Sequence, residues 1–236
     1  DMTGLAAERR PGAVRAVYDE IATHFSETRH SPWPEVATFV DDRAGTGHAV
    51  GLDLGCGNGR HTLLLADVVD TVVGLDVSRA LLREAADRLD GKQEPGRQTQ
   101  NSATGIPLVQ GEATSLPMSA ASVDVALYVA TVHHLPDRAA RIESLAELAR
   151  VLAPDGVALV SAWSTAHDRF EGDADSEVGL DTPVDWTLPG GETVPRFYHI
   201  YAPAEFEADL RQAGLTIESM LVSSGNCYAT VTLESG

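Results

Sequence analysis

A glycine-rich stretch, GLDLGCGNG at residues 51–59, is the feature that most restricts how this chain can fold. An apolar run typical of a buried strand leads directly into Gly55, Gly57 and Gly59. Glycines at alternate positions let the backbone turn tightly and approach a ligand more closely than any Cβ atom would allow. The stretch therefore predicts a strand, a ligand-binding turn and then a helix.

Short apolar runs alternate with segments of helical periodicity through most of the chain. The predicted strands cover residues 49–54, 71–75, 107–110, 123–129, 157–163, 216–222 and 228–233. The predicted helices cover residues 13–25, a short segment from Pro34, and residues 78–89, 137–152 and 203–213. Strands joined by helical crossovers run parallel. We therefore expect an α/β fold, a doubly wound and mostly parallel seven-stranded sheet with an antiparallel C-terminal hairpin.

We expect one domain with four parts. They are an N-terminal helical cover at residues 13–42, a ligand-binding core at 49–163, an acidic insertion at 164–195, and a C-terminal helix with strands at 196–235. The insertion carries eight acidic residues, and a structureless loop of that length is a lid, a binding loop or a disordered segment. Residues 91–105 are polar apart from Ala103, which predicts a second surface insertion.

The charge balance of the chain is strongly acidic. The net charge is −18, and Lys92 is the single lysine among 17 basic residues. An acidic surface almost without lysine indicates a halophilic origin, because molar salt shortens the Debye length to ~3 Å and screens the repulsion between carboxylates. The competing interpretation is a surface that repels nucleic acid, since such a charge argues against an RNA ligand.

The apolar runs and the cysteines of the sequence indicate the cellular compartment of the protein. The sequence has no run of about 18 apolar residues and no basic segment followed by an apolar one at its N-terminus. Cys56 and Cys227 lie far apart and match no metal-binding spacing. A disulfide between them is the alternative to two buried thiols. We expect a cytoplasmic protein with both thiols reduced.

Acidic residues accompany three neighbouring predicted strands. Asp53 lies in the first strand, Asp76 ends the second, and Glu112 follows the third. The carboxyl ends of parallel strands meet at one edge of a sheet, where Asp76 could accept both hydroxyls of a ribose. Glu112 and the backbone N–H of Ala113 could frame an adenine edge. Ordinary solvated acids are the alternative, and NAD is a rival ligand whose G-x-G-x-x-G fingerprint is broken by Arg60.

Two adjacent histidines, His133 and His134, follow the fourth central strand. Residues at this place in a doubly wound fold face the reacting part of a bound ligand. Neighbours in sequence seldom chelate one ion, so we predict no metal site. The alternative for either histidine is packing and capping of the next helix, an interpretation that suits His134 better than His133.

Several blocks of the sequence resemble known methyltransferases. The G-x-G-x-G pattern with Asp53 resembles the first motif of the class I S-adenosylmethionine-dependent methyltransferases. The chain is also similar to the family that esterifies the carboxymethyl group on the wobble uridine (U34) of tRNA anticodons. That resemblance covers residues 14–163 and 196–235, and it rests on this motif with four further blocks, YDEIATHFSETRHSPWP, VHHL, ARVLAPDGVALVSAW and RFYHIY.

The resemblance implies the ligands and the partner. It implies S-adenosylmethionine as the methyl donor, a tRNA anticodon with 5-carboxymethyluridine as the acceptor, and a heterodimer with a small zinc-binding activator protein. We assign cofactor binding to nine residues, namely Asp53, Gly55, Gly57, Gly59, Asp76, Val77, Glu112, Ala113 and Val129. The apolar third strand at the sheet edge would accept the activator by strand addition, or residues 91–105 would cover it.

Methyl transfer to a carboxylate requires alignment rather than a general base, because that carboxylate is already ionised at neutral pH. The site then needs a cation or several donors to hold the anionic acceptor. We assign this role to six residues, namely Arg29, His30, His133, Arg196, Tyr198 and His199. A surface ion pair is the alternative for Arg29, and plain packing is the alternative for Tyr198 and His199.

The stretch ETRHSPWP at residues 27–34 would then cover the carboxyl ends of the strands. Arg29 and His30 would face the acceptor, and Trp33 would pack beside it. The sequence has no basic stripe for tRNA, so two other functions stay open. One is a methyltransferase acting on a quinone or another small metabolite, and the other is a catalytically silent cofactor-binding scaffold for the activator.

Overall fold

The computed structural model describes residues 12–91, 105–173 and 177–234. The α-helices in these ranges are α1 (Ala13–Thr28), α2 (Pro34–Asp41), α3 (Thr62–Leu65), α4 (Arg79–Leu89), α5 (Arg138–Val151) and α6 (Pro203–Gln212). The strands are β1 (Val50–Leu54), β2 (Thr71–Asp76), β3 (Leu108–Gln110), β4 (Val123–Val129), β5 (Leu152–Trp163), β6 (Leu180–Thr187), β7 (Thr193–Ile200), β8 (Leu215–Ser223) and β9 (Asn226–Leu233). Short 3-10 turns cover Val132–His134 and Asp168–Asp173.

Seven strands form one sheet in the order β3-β2-β1-β4-β5-β9-β8. The first five of these run parallel, and β9 lies antiparallel to both β5 and β8. The predicted fold class is therefore confirmed, including the C-terminal antiparallel hairpin and the place of β3 at a sheet edge. The parallel register pairs Asp53 with Gly74 and Asp76 with Gln110, so the polar ends of the strands lie along one edge.

Helices cover both faces of the sheet. One face packs against α5 and α6 through a core that includes Leu145 and Phe206, and the other packs against α2 and α3 through Phe39 and Leu65. Side-chain caps begin two of the helices. Ser78 accepts a hydrogen bond from Leu81 N at 3.1 Å at the start of α4, and Asp137 accepts one from Ala140 N at 2.8 Å at the start of α5. The core is thus built as the periodicity predicts.

The acidic insertion has regular structure over part of its length. Strands β6 and β7 form a separate antiparallel pair, with Leu180 opposite Ile200 and Thr187 opposite Thr193. The expectation of a structureless loop at 164–195 is therefore wrong. The acids obscured a period-two pattern in β6, where Val184 and Trp186 are buried while their neighbours are exposed. The predicted insertion at 91–105 lies almost wholly outside the described residues.

The β6–β7 hairpin packs against α1, and these two elements together are called the cover below. Trp186 and Val194 of the hairpin share an apolar cluster with Tyr18, Ile21 and Leu81. Burial of each such side chain stabilises the fold by about 1.5–3 kcal/mol. Long-range packing of this kind fixes the cover over the carboxyl ends of the central strands.

A polar contact also ties α1 to the sheet. Asp19 Oδ1 accepts hydrogen bonds from Ser78 Oγ at 2.7 Å and from Ala80 N at 3.0 Å. Ser78 is the residue that caps α4, so one carboxylate of the cover joins the first turn of a helix that follows β2. Across the described residues, no helix is both long and apolar enough to span a lipid bilayer.

Candidate functional site

A cavity of about 500 Å³ lies between α1 and the carboxyl ends of β1, β2, β3 and β4. The turn after β1, the residues that follow β2 and β3, and the segment after β4 line it, and Tyr18 and Phe25 of α1 close it from above. Small-molecule sites in proteins measure ~300–1,000 Å³ and combine apolar walls with a few convergent polar groups. This cavity has both properties and lies where doubly wound folds bind their ligands.

The glycine turn and the end of β2 form one backbone unit. Gly55 N and Cys56 N donate to Leu75 O at 2.7 and 3.0 Å, and Gly57 N donates to Asp76 Oδ2 at 2.9 Å. Gly55 has φ 72°, and a Cβ atom there would lie 2.2 Å from Thr131 Oγ1. Only glycine can therefore occupy this position beside the segment that follows β4.

Asp76 is a buried acceptor at the wall of the cavity. Ser78 N donates to its second oxygen, Oδ1, at 2.8 Å. Burial raises the pKa of this carboxyl to about 6, although the amides of Ser78 and Gly57 favour its ionised form. Gly57 N and Ser78 N donate to different oxygens, and the carboxylate keeps acceptor capacity for ligand hydroxyls.

Most of the residues assigned to cofactor binding line this cavity. They are Gly55, Gly57, Asp76, Val77, Glu112, Ala113 and Val129. Asp53 and Gly59 do not line it. Asp53 accepts a hydrogen bond from Thr62 Oγ1 at 2.6 Å, and burial raises its pKa to about 7. A Cβ atom on Gly59 would lie 3.2 Å from Ala85 Cβ, so this glycine serves the contact between the turn and α4.

Arg60 is a cation of the cavity that the sequence analysis did not assign to the site. It lines the cavity beside Asn58 and His61. Its guanidinium lies 5.2 Å from the centroid of the Trp33 ring and donates to Ser31 O at 3.4 Å. Burial lowers the pKa of Arg60 to about 10, and the charge of Arg29 acts in the same direction. Trp33 thus packs against the glycine turn through Arg60.

The two adjacent histidines have different surroundings. His134 lines the cavity, whereas His133 is buried away from it. The 3-10 turn that follows β4 directs His133 toward β5, where Nδ1 accepts a hydrogen bond from Trp163 N at 3.0 Å. Its ring stacks on Tyr198 at 4.7 Å. The expectation that His133 faces the ligand is therefore corrected in favour of His134.

A hydrogen-bonded chain joins His134 to Arg196. Phe197 O can only accept, so His134 Nδ1 donates to it at 3.0 Å and Nε2 accepts from the Tyr18 hydroxyl at 2.8 Å. Arg196 then donates to the same hydroxyl oxygen at 3.3 Å. Burial lowers the pKa of His134 to about 3, so its ring is neutral at physiological pH.

Arg196 is 8% exposed and lines a small recess beside the main cavity. The recess and the cavity share Val14, Tyr18 and His134 as lining residues. Arg196 makes no ion pair with an acidic side chain in the part of the chain that the structure describes. A buried guanidinium without a carboxylate is costly, and it favours an incoming anion.

Arg29 and His30 lie outside the cavity lining. The Arg29 guanidinium lies 5.1 Å from the centroid of the Trp186 ring and 6.0 Å from that of Phe25, which itself lines the cavity. His30 is exposed. Both residues lie between the end of one helix at Thr28 and the start of the next at Pro34. The expectation that these two face the ligand is not met in this structure.

Tyr198 and His199 are buried in the hairpin, and neither lines the cavity. Tyr198 packs between the two histidines and Trp163. His199 Nδ1 lies 2.7 Å from Asp181 Oδ1, and its Nε2 lies 3.1 Å from Glu205 Oε2. His199 therefore ties the hairpin to α6.

Sequence reasoning missed the aromatic residues of the cover. Tyr18 and Phe25 occur in the sequence at helical spacing, which indicates burial but not a place beside a ligand. Trp186 lies in the acidic insertion, where the surrounding acids obscure the period-two pattern to which it belongs. Among the described residues, no group of three or more His, Cys, Asp or Glu side chains could hold a metal ion.

Comparison with known proteins places the chain among methyltransferases. Residues 52–160 match the family model of the methyltransferase domain. The chain is 31% identical over 191 residues to the tRNA (carboxymethyluridine(34)-5-O)-methyltransferase of Saccharomyces cerevisiae, a match that covers 81% of this chain and 62% of the yeast protein. It is 33% identical over 190 residues to a protein of Encephalitozoon cuniculi named as a methyltransferase, with 80% of each chain covered.

Solved structures share the fold. An S-adenosylmethionine-dependent methyltransferase from Clostridium acetobutylicum superposes with a TM-score of 0.67 at 14% identity, covering 92% of this chain and 98% of that one. A complex of the Haloferax volcanii Trm112 methyltransferase activator with a methyltransferase gives a TM-score of 0.63 at 18% identity, covering 93% and 96%. At such identities these likenesses concern the fold alone.

Proposed function

We infer the function of this chain from its family, because it belongs to the methyltransferase family that includes the tRNA (carboxymethyluridine(34)-5-O)-methyltransferases. The chain spans 62% of the length of the yeast relative. The proposed activity is esterification of the carboxymethyl group of the wobble uridine in tRNA, with S-adenosylmethionine as the methyl donor. One observation carries the choice of an anionic acceptor. The buried Arg196 has no carboxylate partner among the described residues and is linked through Tyr18 to the cavity wall.

The cavity residues fit the methyl donor. The Asp76 carboxylate has lone pairs for the ribose hydroxyls, and Glu112 with Ala113 lies after the next strand, where an adenine would be bound. Gly55 and Gly57 leave backbone rather than side chains at the wall. When bound, S-adenosylmethionine supplies a methyl group on a sulfonium, a group that an ionised carboxylate can accept without prior loss of a proton.

The protein must therefore orient an anion and exclude water, and it need not move a proton. The neutral His134 ring suits that task, because it donates to Phe197 O and accepts from Tyr18 and so stays fixed without changing its charge. Arg196 supplies the positive charge for the acceptor. Arg29 lies outside the cavity lining, so it would supply a second charge only to the part of the acceptor that stays outside the cavity. The charge of Arg196 is strong in this place because its surroundings exclude water.

The proposed partners are tRNA and a small zinc-binding activator protein in a heterodimer. Strand β3 pairs only with β2 in the described part of the chain, so its other edge can accept a strand from a partner. Its neighbouring residues Ile106, Leu108 and Val109 are only partly buried. The known complex of a related fold with the Trm112 activator supports this partner class. The activator could also supply the positive surface that a chain of net charge −18 lacks.

The test is transfer of labelled methyl from S-adenosylmethionine to anticodon stem-loops in high salt, with and without the activator. One stem-loop carries 5-carboxymethyluridine at the wobble position, and its matched control carries uridine. We expect label in an alkali-labile ester of the first RNA only. Label in a quinone or another small acceptor added to the same assay, and in neither RNA, would contradict the proposal and favour a small-molecule methyltransferase. Cofactor binding without transfer to any acceptor would favour a scaffold.

A further inference from the structure

Trp186 lies in contact with two guanidinium groups. The centroid of its ring is 5.1 Å from Arg29 Cζ and 5.0 Å from Arg196 Cζ. Arg29 comes from the C-terminal end of α1, whereas Arg196 comes from β7, and Trp186 itself belongs to β6. One indole of the acidic insertion therefore joins the two arginines assigned to the acceptor.

Neither arginine is paired with an acid among the described residues. Arg29 donates to Thr28 O at 3.2 Å, and Arg196 donates to the Tyr18 hydroxyl. Two like charges repel each other, so something must hold both in place when no anion is bound. The electron-rich face of an indole attracts guanidinium groups, and tryptophan does so best of the aromatic side chains.

The Trp186 ring is itself fixed. It is 7% exposed, its Nε1 donates to His24 Nδ1 at 3.1 Å, and the Phe25 ring lies 5.5 Å away. Its contacts on α1 therefore set the position of the ring before any ligand arrives. A fixed ring between the two guanidinium groups reduces the conformational freedom that the arginines would lose on binding an anion.

We propose that Trp186 is a positioning residue that holds Arg29 and Arg196 ready for the acceptor carboxylate. This inference rests on the proposed function, and it gives the acidic insertion a role. The insertion contributes a single aromatic anchor to the cation pair. The preference for a charged acceptor over an uncharged one thus depends on the π face of residue 186.

The experiment measures charge preference without methyl transfer. The full chain, with S-adenosylhomocysteine bound, is titrated by equilibrium dialysis with 5-carboxymethyluridine nucleoside and with its uncharged methyl ester. The ratio of the two dissociation constants is compared among wild type, Trp186→Phe and Trp186→Leu. Trp163→Leu is the matched control, because Trp163 is a partly buried indole that contacts no guanidinium in the described structure.

We expect wild type to bind the acid more tightly than the methyl ester. In Trp186→Leu the ratio of the two dissociation constants, ester over acid, should fall about tenfold, which is the size expected for the loss of two cation–π contacts. Trp186→Phe should retain most of the preference for the acid, because a π face remains, and Trp163→Leu should match wild type. Affinities for the ester and for S-adenosylhomocysteine should stay unchanged in all variants, which a general loss of structure would not allow.

Equal preferences in Trp186→Leu and wild type would overturn the inference, as would an equal loss in Trp186→Phe and Trp186→Leu. So would the absence of any acid preference in wild type. These outcomes are independent of the labelled-methyl test. A chain that esterifies the stem-loop but shows no acid preference contradicts only the role of Trp186. A chain that shows the preference but esterifies no RNA contradicts the proposed function instead.

Discussion

The cofactor end of the site and its cover are built on different principles. At the cofactor end, acids and glycines lie at the ends of neighbouring parallel strands, and backbone amides hold them, as Gly57 N and Ser78 N hold Asp76. In the cover, side chains from α1 and a distant hairpin hold one another through π and hydroxyl contacts, as Tyr18 and Trp186 do with Arg196. The first region can bind its ligand by local geometry, whereas the second depends on long-range packing.

The largest expected effect comes from substitutions in the cover that leave the cofactor end unchanged. Arg196→Gln removes the buried positive charge and should lower the rate of esterification about 100-fold, since a charge-assisted contact to the acceptor is lost from a buried site. Arg29→Gln should cost about tenfold, because Arg29 is partly exposed and its charge is screened by solvent. Single-turnover assays measure both rates.

The control for these variants is Arg211→Gln, which breaks an exposed ion pair with Glu207 on α6. It should leave the rate unchanged. Calorimetric titration should show the same affinity for S-adenosylhomocysteine in all three variants. A matching loss of cofactor affinity in Arg196→Gln would show that the two regions are not separable as described.

A second test breaks the cofactor end and spares the cover. Asp76→Asn keeps the shape but loses the charge and one acceptor, and it should weaken S-adenosylhomocysteine binding about 30-fold. Asp53→Asn is the matched variant, a buried acid on the neighbouring strand that does not line the cavity. Its affinity should stay close to that of wild type. Equal losses of S-adenosylhomocysteine affinity in the two variants, measured by calorimetric titration, would show that Asp53 belongs to the ligand site.

The smallest expected effect is on the pH dependence of stability, in which Asp53 and His134 should act with opposite signs. The pKa of Asp53 is raised from 3.8 to about 7, so between these values the folded protein holds a proton that the unfolded chain has lost. Its contribution to the free energy of unfolding therefore falls as pH rises through that window. The pKa of His134 is lowered from 6.5 to about 3, so its contribution falls as pH falls below 6.5.

Denaturant unfolding at pH 5 and pH 7 checks these signs. Relative to wild type, Asp53→Asn should gain about 1–2 kcal/mol in the free energy of unfolding between pH 5 and pH 7. His134→Asn should gain a similar amount in the free energy of unfolding, relative to wild type, as pH falls from 7 to 5. If the free energy of unfolding relative to wild type changed with pH in the same direction in both variants, burial would not govern the pKa values of both groups.

Much of the fold and of the cofactor end could be predicted from sequence. Strand β4 has the predicted boundaries, and α1 and α5 differ from theirs by only a few residues. The fold class, the family and the cofactor are confirmed. Prediction succeeded here because strand and helix periodicities are local, and because parallel strands bring their carboxyl ends together whatever the loops do.

The cover shows where such prediction stops. Tyr18 and Arg196 are separated by 178 positions, and Trp186 and His24 by 162. His133 and His134 are adjacent, and the choice between them depends on the rotation of one 3-10 turn. Arg29 has a suitable side chain, but the structure places it against Trp186 instead of in the cavity. Halophilic origin, the activator and the catalytic roles stay predictions.

The sequence by itself determined the layered α/β sheet, the glycine turn and the row of acids at the strand ends, because each depends on residue periodicity and backbone geometry within a few positions. Only the tertiary structure decided which histidine meets the cavity, which arginine is buried, and where Trp186 lies. The physical reason is that these outcomes depend on side-chain packing between segments far apart in the chain, where no local pattern records the partner.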